Sequence, residues 1–96
     1  MMGESKRSRI QICFNVLDVI RKGVSKPTRI MYGANLSWNK LLEVFIMLKS
    51  QGLIEEAHVE GYKRYTLTDR GLDALTHYSK ALDILDVTAE ASAMHA

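Results

Sequence analysis

Apolar residues recur every three or four positions in the first third of the chain, which is the spacing of one face of an α-helix. From about Ser8 to Lys22 no Pro or Gly interrupts this spacing, and basic residues fall in the last turn, just before Gly23. Pro27 presets the backbone angle for a short helix over residues 28–32. The pattern therefore predicts an amphipathic first helix and a brief second one.

A short break then precedes a longer third helix. We expect Gly33 to close the second helix in the left-handed conformation, and Ser37 to cap a helix that continues to about Gln51. Only Ala34, Asn35 and Leu36 would separate the two helices. Because so short a break favours a sharp crossing, this segment predicts a helix-turn-helix.

The third helix is apolar over most of its circumference. One face is expected to pack on the first helix, and it carries Trp38, Leu41, Leu42, Phe45 and Leu48. A second apolar group on the same helix consists of Val44, Ile46 and Met47. Either the core almost surrounds this helix, or the helix also contacts a partner.

After Gly52 the spacing of apolar residues changes from three or four positions to two. Residues 53–60 and 62–67 flank Gly61 and predict a β-hairpin. Thr68 is the expected cap of a last helix. The apolar positions of that helix have mostly heptad-like spacing, and they are the expected dimerisation residues Leu72, Leu75, Tyr78, Leu82 and Leu85. The alternative is that this seam folds back on its own domain.

The predicted order is helix, helix, helix, strand, strand, helix, which indicates a mostly helical α+β fold, the winged helix-turn-helix. We expect a flexible basic arm over residues 1–7 and the winged domain over 8–67. A C-terminal dimerisation helix is expected over 68–86 and a frayed tail over 87–96.

Charge is divided unevenly between the two halves of the chain. Residues 1–50 contain nine Lys/Arg against three Asp/Glu, whereas residues 51–96 contain four against eight. The basic half is the half that carries the helix-turn-helix. This asymmetry favours a polyanionic partner, and double-stranded DNA is the expected one.

Several other classes of function have little support. The chain has 96 residues, enough for one domain, and its lone Cys13 is expected to be a buried structural thiol. The three histidines are far apart in the sequence, with no HxxxH pair, so a metal site has little support, and there is no glycine-rich loop to bind a nucleotide. There is no run of 18 or more apolar residues, and the polar residues 1–7 lead us to expect no targeting segment. We therefore predict no enzyme activity, cofactor, metal or membrane partner, and a cytoplasmic location.

Candidate DNA-contacting residues fall into two groups. If the third helix lies in the major groove, base edges would meet Ser37, Asn39, Lys40 and Glu43. Ser37 has the alternative role of a helix cap alone, and Glu43 that of a solvated charge. Phosphates would meet Lys26, Thr28, Arg29, Lys63 and Arg64. The alternative for Lys63 and Arg64 is that they lie on a solvated hairpin tip and do not contact DNA.

Two further groups have more ordinary interpretations. The basic residues Lys6, Arg7 and Arg9 could lie along DNA, or they could form a disordered leader. The aromatic residues are spaced for packing in the core rather than for stacking on bases, and they are Tyr32, Trp38, Phe45, Tyr62, Tyr65 and Tyr78.

Three stretches resemble a known family. The run over residues 28–37 reads TRIMYGANLS, Leu48 is followed by the Gly-Leu-Ile of residues 52–54, and residues 65–71 read YTLTDRG. Over roughly residues 8–85 the chain resembles the small archaeal winged-helix DNA-binding proteins of the ten-kilodalton Sulfolobus type. The resemblance implies a homodimer whose C-terminal helices pair as an antiparallel coiled coil.

The chain departs from that family in two respects. Its apolar seam ends near Leu85, so the dimer stem is expected to be shorter. Its third helix carries Glu43 between Lys40 and Lys49, where the family tends to have more basic residues. The leading hypothesis is a homodimeric DNA-binding protein, either a transcriptional regulator or a nucleoid-associated chromatin protein. The alternative is a winged-helix module that binds another protein and has little affinity for DNA.

Overall fold

The computed structural model describes residues 7–95, with side chains described as far as residue 85. Its elements are α1 (Arg9–Arg21), α2 (Pro27–Ala34), α3 (Trp38–Ser50), β1 (Ile54–Val59), β2 (Tyr62–Leu67) and α4 (Asp69–His95). This order confirms the predicted winged helix-turn-helix. The two antiparallel strands and their turn are called the wing below.

A capping box starts α1. Ser8 Oγ accepts a hydrogen bond from the Gln11 backbone N–H at 3.1 Å, and Gln11 Oε1 accepts one from the Ser8 N–H at 2.7 Å. One face of α1 is then buried through Ile12, Cys13, Val16, Leu17 and Ile20. This stripe forms the centre of the core, as its helical spacing predicts.

The turn of the helix-turn-helix differs from the prediction. The helix α2 continues through Gly33, and Asn35 is the residue with left-handed φ and ψ of 56° each. Asparagine tolerates this conformation because its short polar side chain is less hindered there than most. Gly33 has a different role, since a Cβ at this position would lie 2.9 Å from Val19 Cγ1. The missing side chain lets α2 approach α1 closely.

The buried face of α3 is rotated relative to the prediction. The core side chains are Leu41, Val44, Phe45 and Leu48. Leu42 is 39% exposed and Ile46 is 70% exposed, whereas Met47 is half-buried. The i, i+3, i+4, i+7 spacing from Leu41 selects Val44 for the core and directs Ile46 outward.

The wing packs against the helices through one of its faces. Its strands pair from Ile54 opposite Leu67 to Val59 opposite Tyr62, and Glu60 and Gly61 form the turn with positive φ. This is the conformation that a two-residue hairpin turn requires. The Tyr65 ring stacks on Phe45 of α3 with 4.1 Å between centroids.

A close backbone contact joins α4 to the end of α3. Thr68 Oγ1 accepts a hydrogen bond from the Gly71 N–H at 3.0 Å, which confirms Thr68 as the helix cap, and donates one to the Gly52 carbonyl at 2.6 Å. A Cβ on Gly71 would lie 2.0 Å from the Leu53 carbonyl oxygen. Only glycine therefore allows the first turn of α4 to sit against the Leu53 backbone.

The structure corrects the assignment of Leu75 to a dimer seam. Its side chain is 4% exposed and belongs to the core of its own chain. Tyr78 is also engaged within the chain, because its ring stacks on Phe14 with 4.0 Å between centroids. Leu82 and Leu85, one and two turns farther along α4, are 40% and 62% exposed.

The helix α4 also extends farther than expected. The sequence predicts a frayed tail over residues 87–96, whereas α4 is helical to His95. The added residues are rich in alanine and contain neither glycine nor proline, so their intrinsic propensity favours a helix. Residue 96 lies outside the described part of the chain.

Candidate nucleic-acid interface

One groove of about 400 Å³ lies where the start of α2, the start of α3 and the wing meet. We call it the wing groove, and it is lined by Lys26, Pro27, Thr28, Trp38, Tyr62, Lys63 and Arg64. Four of the five residues predicted to contact phosphate thus lie on one surface. The fifth, Arg29, is exposed on α2 and is not among the residues that line the groove.

A backbone hydrogen bond brings these basic residues together. The Tyr65 N–H of β2 donates to the Ser25 carbonyl at 3.0 Å, which holds the loop before α2 against the wing. Lys26 is the N-cap of α2 and makes no side-chain capping bond, and Pro27 occupies the first turn. The positive end of the α2 dipole therefore adds to the charge of Lys26, Lys63 and Arg64.

Two aromatic side chains of the wing groove are exposed, contrary to the prediction that they pack in the core. Tyr62 is 67% exposed, and Trp38 is also exposed. The Arg64 guanidinium carbon lies 5.9 Å from the centroid of the Tyr62 ring, within range of a cation–π interaction. Their positions could have signalled this exposure, since Tyr62 adjoins the turn and Trp38 is the first residue of α3. Tyr32 of α2 is exposed as well.

A carboxylate joins the wing to α3. Glu56 Oε1 accepts hydrogen bonds from Lys49 Nζ at 2.8 Å and from the Tyr65 hydroxyl at 3.1 Å. Lys63 Nζ lies 3.9 Å from the second carboxylate oxygen. The bonds from Lys49 and Tyr65 lower the pKa of Glu56. Burial, together with the bond to Glu56, raises the pKa of Tyr65 to about 12.

This cluster predicts an acid-sensitive contribution to stability. A carboxyl whose pKa is lowered by folding stabilises the native state above its unfolded pKa, and this stabilisation is lost as the pH falls through the folded pKa. We expect Glu56→Gln to lower the melting temperature at pH 6, and the difference from the wild type to shrink as the pH approaches 3. Calorimetry at a series of pH values measures this difference in melting temperature. A difference that does not change with pH would contradict this role, and Glu55→Gln on the exposed side of β1 is the control.

The four residues predicted to contact base edges differ in their surroundings. Ser37 Oγ accepts a hydrogen bond from the Lys40 N–H at 3.1 Å, so its hydroxyl caps α3 as predicted. Lys40 Nζ lies 3.3 Å from Glu43 Oε1. Asn39 is exposed in the first turn of α3. Asn39, Leu42, Glu43 and Ile46 follow the i, i+3, i+4, i+7 spacing of one helix face and are all exposed. We call this set the outer face of α3.

The predicted basic arm has a structural role at one of its residues. Arg7 donates hydrogen bonds to the Ala34 carbonyl at 2.7 Å, to the Asn35 carbonyl at 2.9 Å and to Asn15 Oδ1 at 2.9 Å. It thereby satisfies carbonyl groups at the end of α2 and ties α1 to the helix-turn-helix. Arg9 is the first residue of α1, and Lys6 lies outside the described residues.

Other chemistry has little basis in the described residues. Cys13 is buried, as predicted, and burial raises the pKa of its thiol although the charges of Arg9 and Lys40 oppose the shift. Among the side chains that the structure describes, residues 7–85, there is no group of three potential ligands suited to a metal ion. No helix within residues 7–95 is long and apolar enough to cross a membrane.

Comparison with known proteins agrees with this architecture. The sequence model of the winged helix-turn-helix family matches residues 6–89. An uncharacterised protein of Methanocaldococcus jannaschii is 30% identical over 81 residues, which cover 84% of this chain and 79% of the relative.

Solved structures show the same fold. Sso10a-2, described as a DNA-binding protein from Sulfolobus solfataricus, superimposes with a TM-score of 0.76 and 22% identity over 90% of each chain. A Staphylococcus aureus MepR variant bound to an oligodeoxyribonucleotide superimposes with a TM-score of 0.72 and 13% identity, over 83% of this chain and 62% of MepR. These similarities confirm the expected resemblance to small archaeal winged-helix proteins.

Proposed function

Because this chain belongs to the winged helix-turn-helix family, we propose that it binds double-stranded DNA, with α3 in the major groove and the wing on the flanking backbone. The observation that carries the proposal is the wing groove, which gathers Lys26, Lys63 and Arg64 beside the exposed start of α3. The description of Sso10a-2 as DNA-binding and the oligonucleotide bound to MepR support it. Family membership also agrees with the prediction that the chain is not an enzyme.

Phosphate contacts would supply most of the affinity. Lys26, Lys63 and Arg64 present positive charge at the groove, and Thr28 adds a hydroxyl donor beside the α2 N-terminus. Arg29, exposed on the same helix, would reach the neighbouring phosphate path. These contacts carry no sequence information, so they position the protein on any duplex.

Base contacts would come from the outer face of α3 and from Lys40 beside it. Asn39 is the strongest candidate because it is exposed and its amide can pair with the adenine edge. Lys40 and Glu43 would meet bases as an ion pair, since they already lie 3.3 Å apart. Ser37 would act mainly as the cap that orients the start of α3.

The protein would act as a homodimer in the cytoplasm, at the nucleoid. Leu82 and Leu85 continue the apolar stripe of α4 beyond the point where Leu75 and Tyr78 are covered by their own chain. Pairing of two such helices would bury these leucines and set the spacing of two winged domains. The role would be that of a transcriptional regulator or a chromatin protein.

A protein-interaction module is the second candidate, because the outer face of α3 exposes the apolar side chains of Leu42 and Ile46. Exposed apolar patches of this kind also occur where proteins meet other proteins. In that case the basic wing groove would have no role in binding, and affinity for duplex DNA would be negligible at low salt.

Titration of duplex DNA at several salt concentrations separates the two candidates. We expect the logarithm of the binding constant to fall linearly with the logarithm of salt concentration, because phosphate contacts release counterions. Arg29→Ala should weaken binding to all sequences about equally and reduce the slope by about 0.9. Asn39→Ala should weaken the binding free energy by about 1–3 kcal/mol, and only on duplexes that contain a preferred site.

Lys80→Ala provides the matched control, since Lys80 is exposed on α4 away from the wing groove. It removes one positive charge from the chain and is expected to leave the salt slope unchanged. Undetectable binding at low salt, or binding without salt dependence, would refute the DNA-binding proposal. Equal losses from Asn39→Ala on every sequence would show that the protein does not read bases through this residue.

A further inference from the structure

The outer face of α3 carries two exposed apolar side chains between its polar residues. Ile46 is 70% exposed and Leu42 is 39% exposed, although both lie in the middle of a helix whose other side is fully packed. Single exposed apolar residues are common on protein surfaces. Here, however, two of them share one helical face with Asn39, at spacings of three and seven residues.

The basic side chains of α3 are engaged with carboxylates. Lys40 Nζ lies 3.3 Å from Glu43, and Lys49 Nζ lies 2.8 Å from Glu56 on the wing. The helix contains no arginine. Guanine is most often read by a bidentate contact from an Arg or Lys side chain, and α3 has no basic side chain without a carboxylate partner to make this contact. The outer face therefore exposes one amide, two aliphatic side chains and the carboxylate of Glu43, which is paired with Lys40.

We propose that Ile46, with Leu42 beside it, contacts the 5-methyl groups of thymine in the major groove, so that the protein prefers duplexes whose pyrimidines carry this methyl group. The proposal rests on the function proposed above. Thymine is the base that presents an apolar group to the major groove, and aliphatic side chains are its natural partners. Asn39, about 10 Å away along the helix axis at about 1.5 Å per residue, would pair with adenine in the same site.

The charge around this face favours DNA over an apolar protein partner. The wing groove carries the basic residues Lys26, Lys63 and Arg64, and Trp38, the first residue of α3, also lines it. A duplex would match both surfaces at once, with phosphates on the basic groove and methyl groups on the aliphatic residues. An apolar protein surface would match only the aliphatic residues and would supply no phosphates to the basic groove.

The test compares duplexes that differ only in the methyl group. Alternating dA-dT and dA-dU duplexes of equal length have the same charge, but deoxyuridine lacks the 5-methyl group of thymidine. We expect the wild type to bind the dA-dT duplex about fourfold more tightly for each methyl group that is buried. Ile46→Ala should reduce this ratio towards one, because the shortened side chain no longer reaches the methyl group.

A second pair of duplexes adds the methyl group where it is normally absent. Alternating dG-dC duplexes should be bound more tightly by the wild type when cytosine is methylated at C5, and Ile46→Ala should lose this gain. Ile10→Ala is the control, since Ile10 is an exposed isoleucine on α1. It is expected to retain both preferences. Circular dichroism of each variant verifies that the helices are intact.

The possible outcomes separate this inference from the proposed function. Equal affinity for dA-dT and dA-dU, with normal salt dependence, would overturn the thymine contact and leave DNA binding intact. An undiminished preference in Ile46→Ala would also overturn it, because another group would then be reading the methyl. Failure of the wild type to bind any of the four duplexes at low salt would instead overturn the proposed function.

Discussion

Replacing Gly71 by alanine is expected to destabilise the protein by about 3 kcal/mol, which corresponds to a fall of roughly 10 to 25 °C in the melting temperature. The added Cβ would lie 2.0 Å from the carbonyl oxygen of Leu53, far closer than a non-bonded carbon and oxygen can approach. The obstacle is backbone rather than a mobile side-chain tip. Relief would require α4 to move away from the end of α3, with loss of the Thr68 contact to Gly52.

Gly33→Ala is the matched control for this prediction. Its Cβ would meet Val19 Cγ1 at 2.9 Å, and a side-chain methyl can move where a main-chain carbonyl cannot. Alanine also has a helix propensity about 1 kcal/mol better than glycine, which offsets the closer contact. We expect a net change within about 1 kcal/mol. Thermal unfolding of both variants measures the contrast, and a Gly71→Ala protein as stable as Gly33→Ala would contradict the close approach of α4 to Leu53.

The second large effect is expected on assembly. Leu82→Glu combined with Leu85→Glu should convert a dimer into a monomer, because two charged side chains would replace the exposed apolar end of the α4 stripe. Because the winged domains of two separate monomers no longer bind as one unit, affinity for a duplex with two sites should also fall by about 100-fold or more. Sedimentation equilibrium and a duplex titration measure the two effects.

The site of substitution matters for this experiment. Leu75→Glu would place a charge in the core of the chain, so loss of folding would obscure any change in assembly. Ile84→Glu is the appropriate control, because Ile84 is exposed on the opposite side of α4 from Leu82. A wild type that sediments as a monomer, or a double variant that remains dimeric, would refute pairing through Leu82 and Leu85.

Much of the fold follows from local patterns. The capping residues Ser37 and Thr68 begin α3 and α4 where the sequence predicts, because a cap needs only a short side chain and the N–H groups next to it. The change of period after Gly52 likewise locates the wing. The predicted stop of α2 at Gly33 is wrong, since the helix continues through this glycine, whose missing side chain leaves room for Val19, and Asn35 takes the left-handed conformation.

The candidate interface was predictable in part. Basic residues before α2 and on the hairpin are visible in the sequence, but their convergence on one groove depends on the hydrogen bond between Ser25 and Tyr65. The sequence pattern did not predict that Trp38 and Tyr62 line this groove. Spacing alone does not distinguish a core Tyr65 from an exposed Tyr62, because exposure depends on which side of the hairpin faces the helices.

The amino-acid sequence by itself determined the order of the elements, the caps and the basic character of the N-terminal half. These properties depend on near neighbours along the chain and on composition. Only the tertiary structure decided which face of α3 is outward, which leucines of α4 belong to the core, and that Arg7 is bound at the helix-turn-helix. Each of these depends on contacts between residues far apart in sequence, and the packing of α1 against α4 selects among faces that the pattern leaves equivalent.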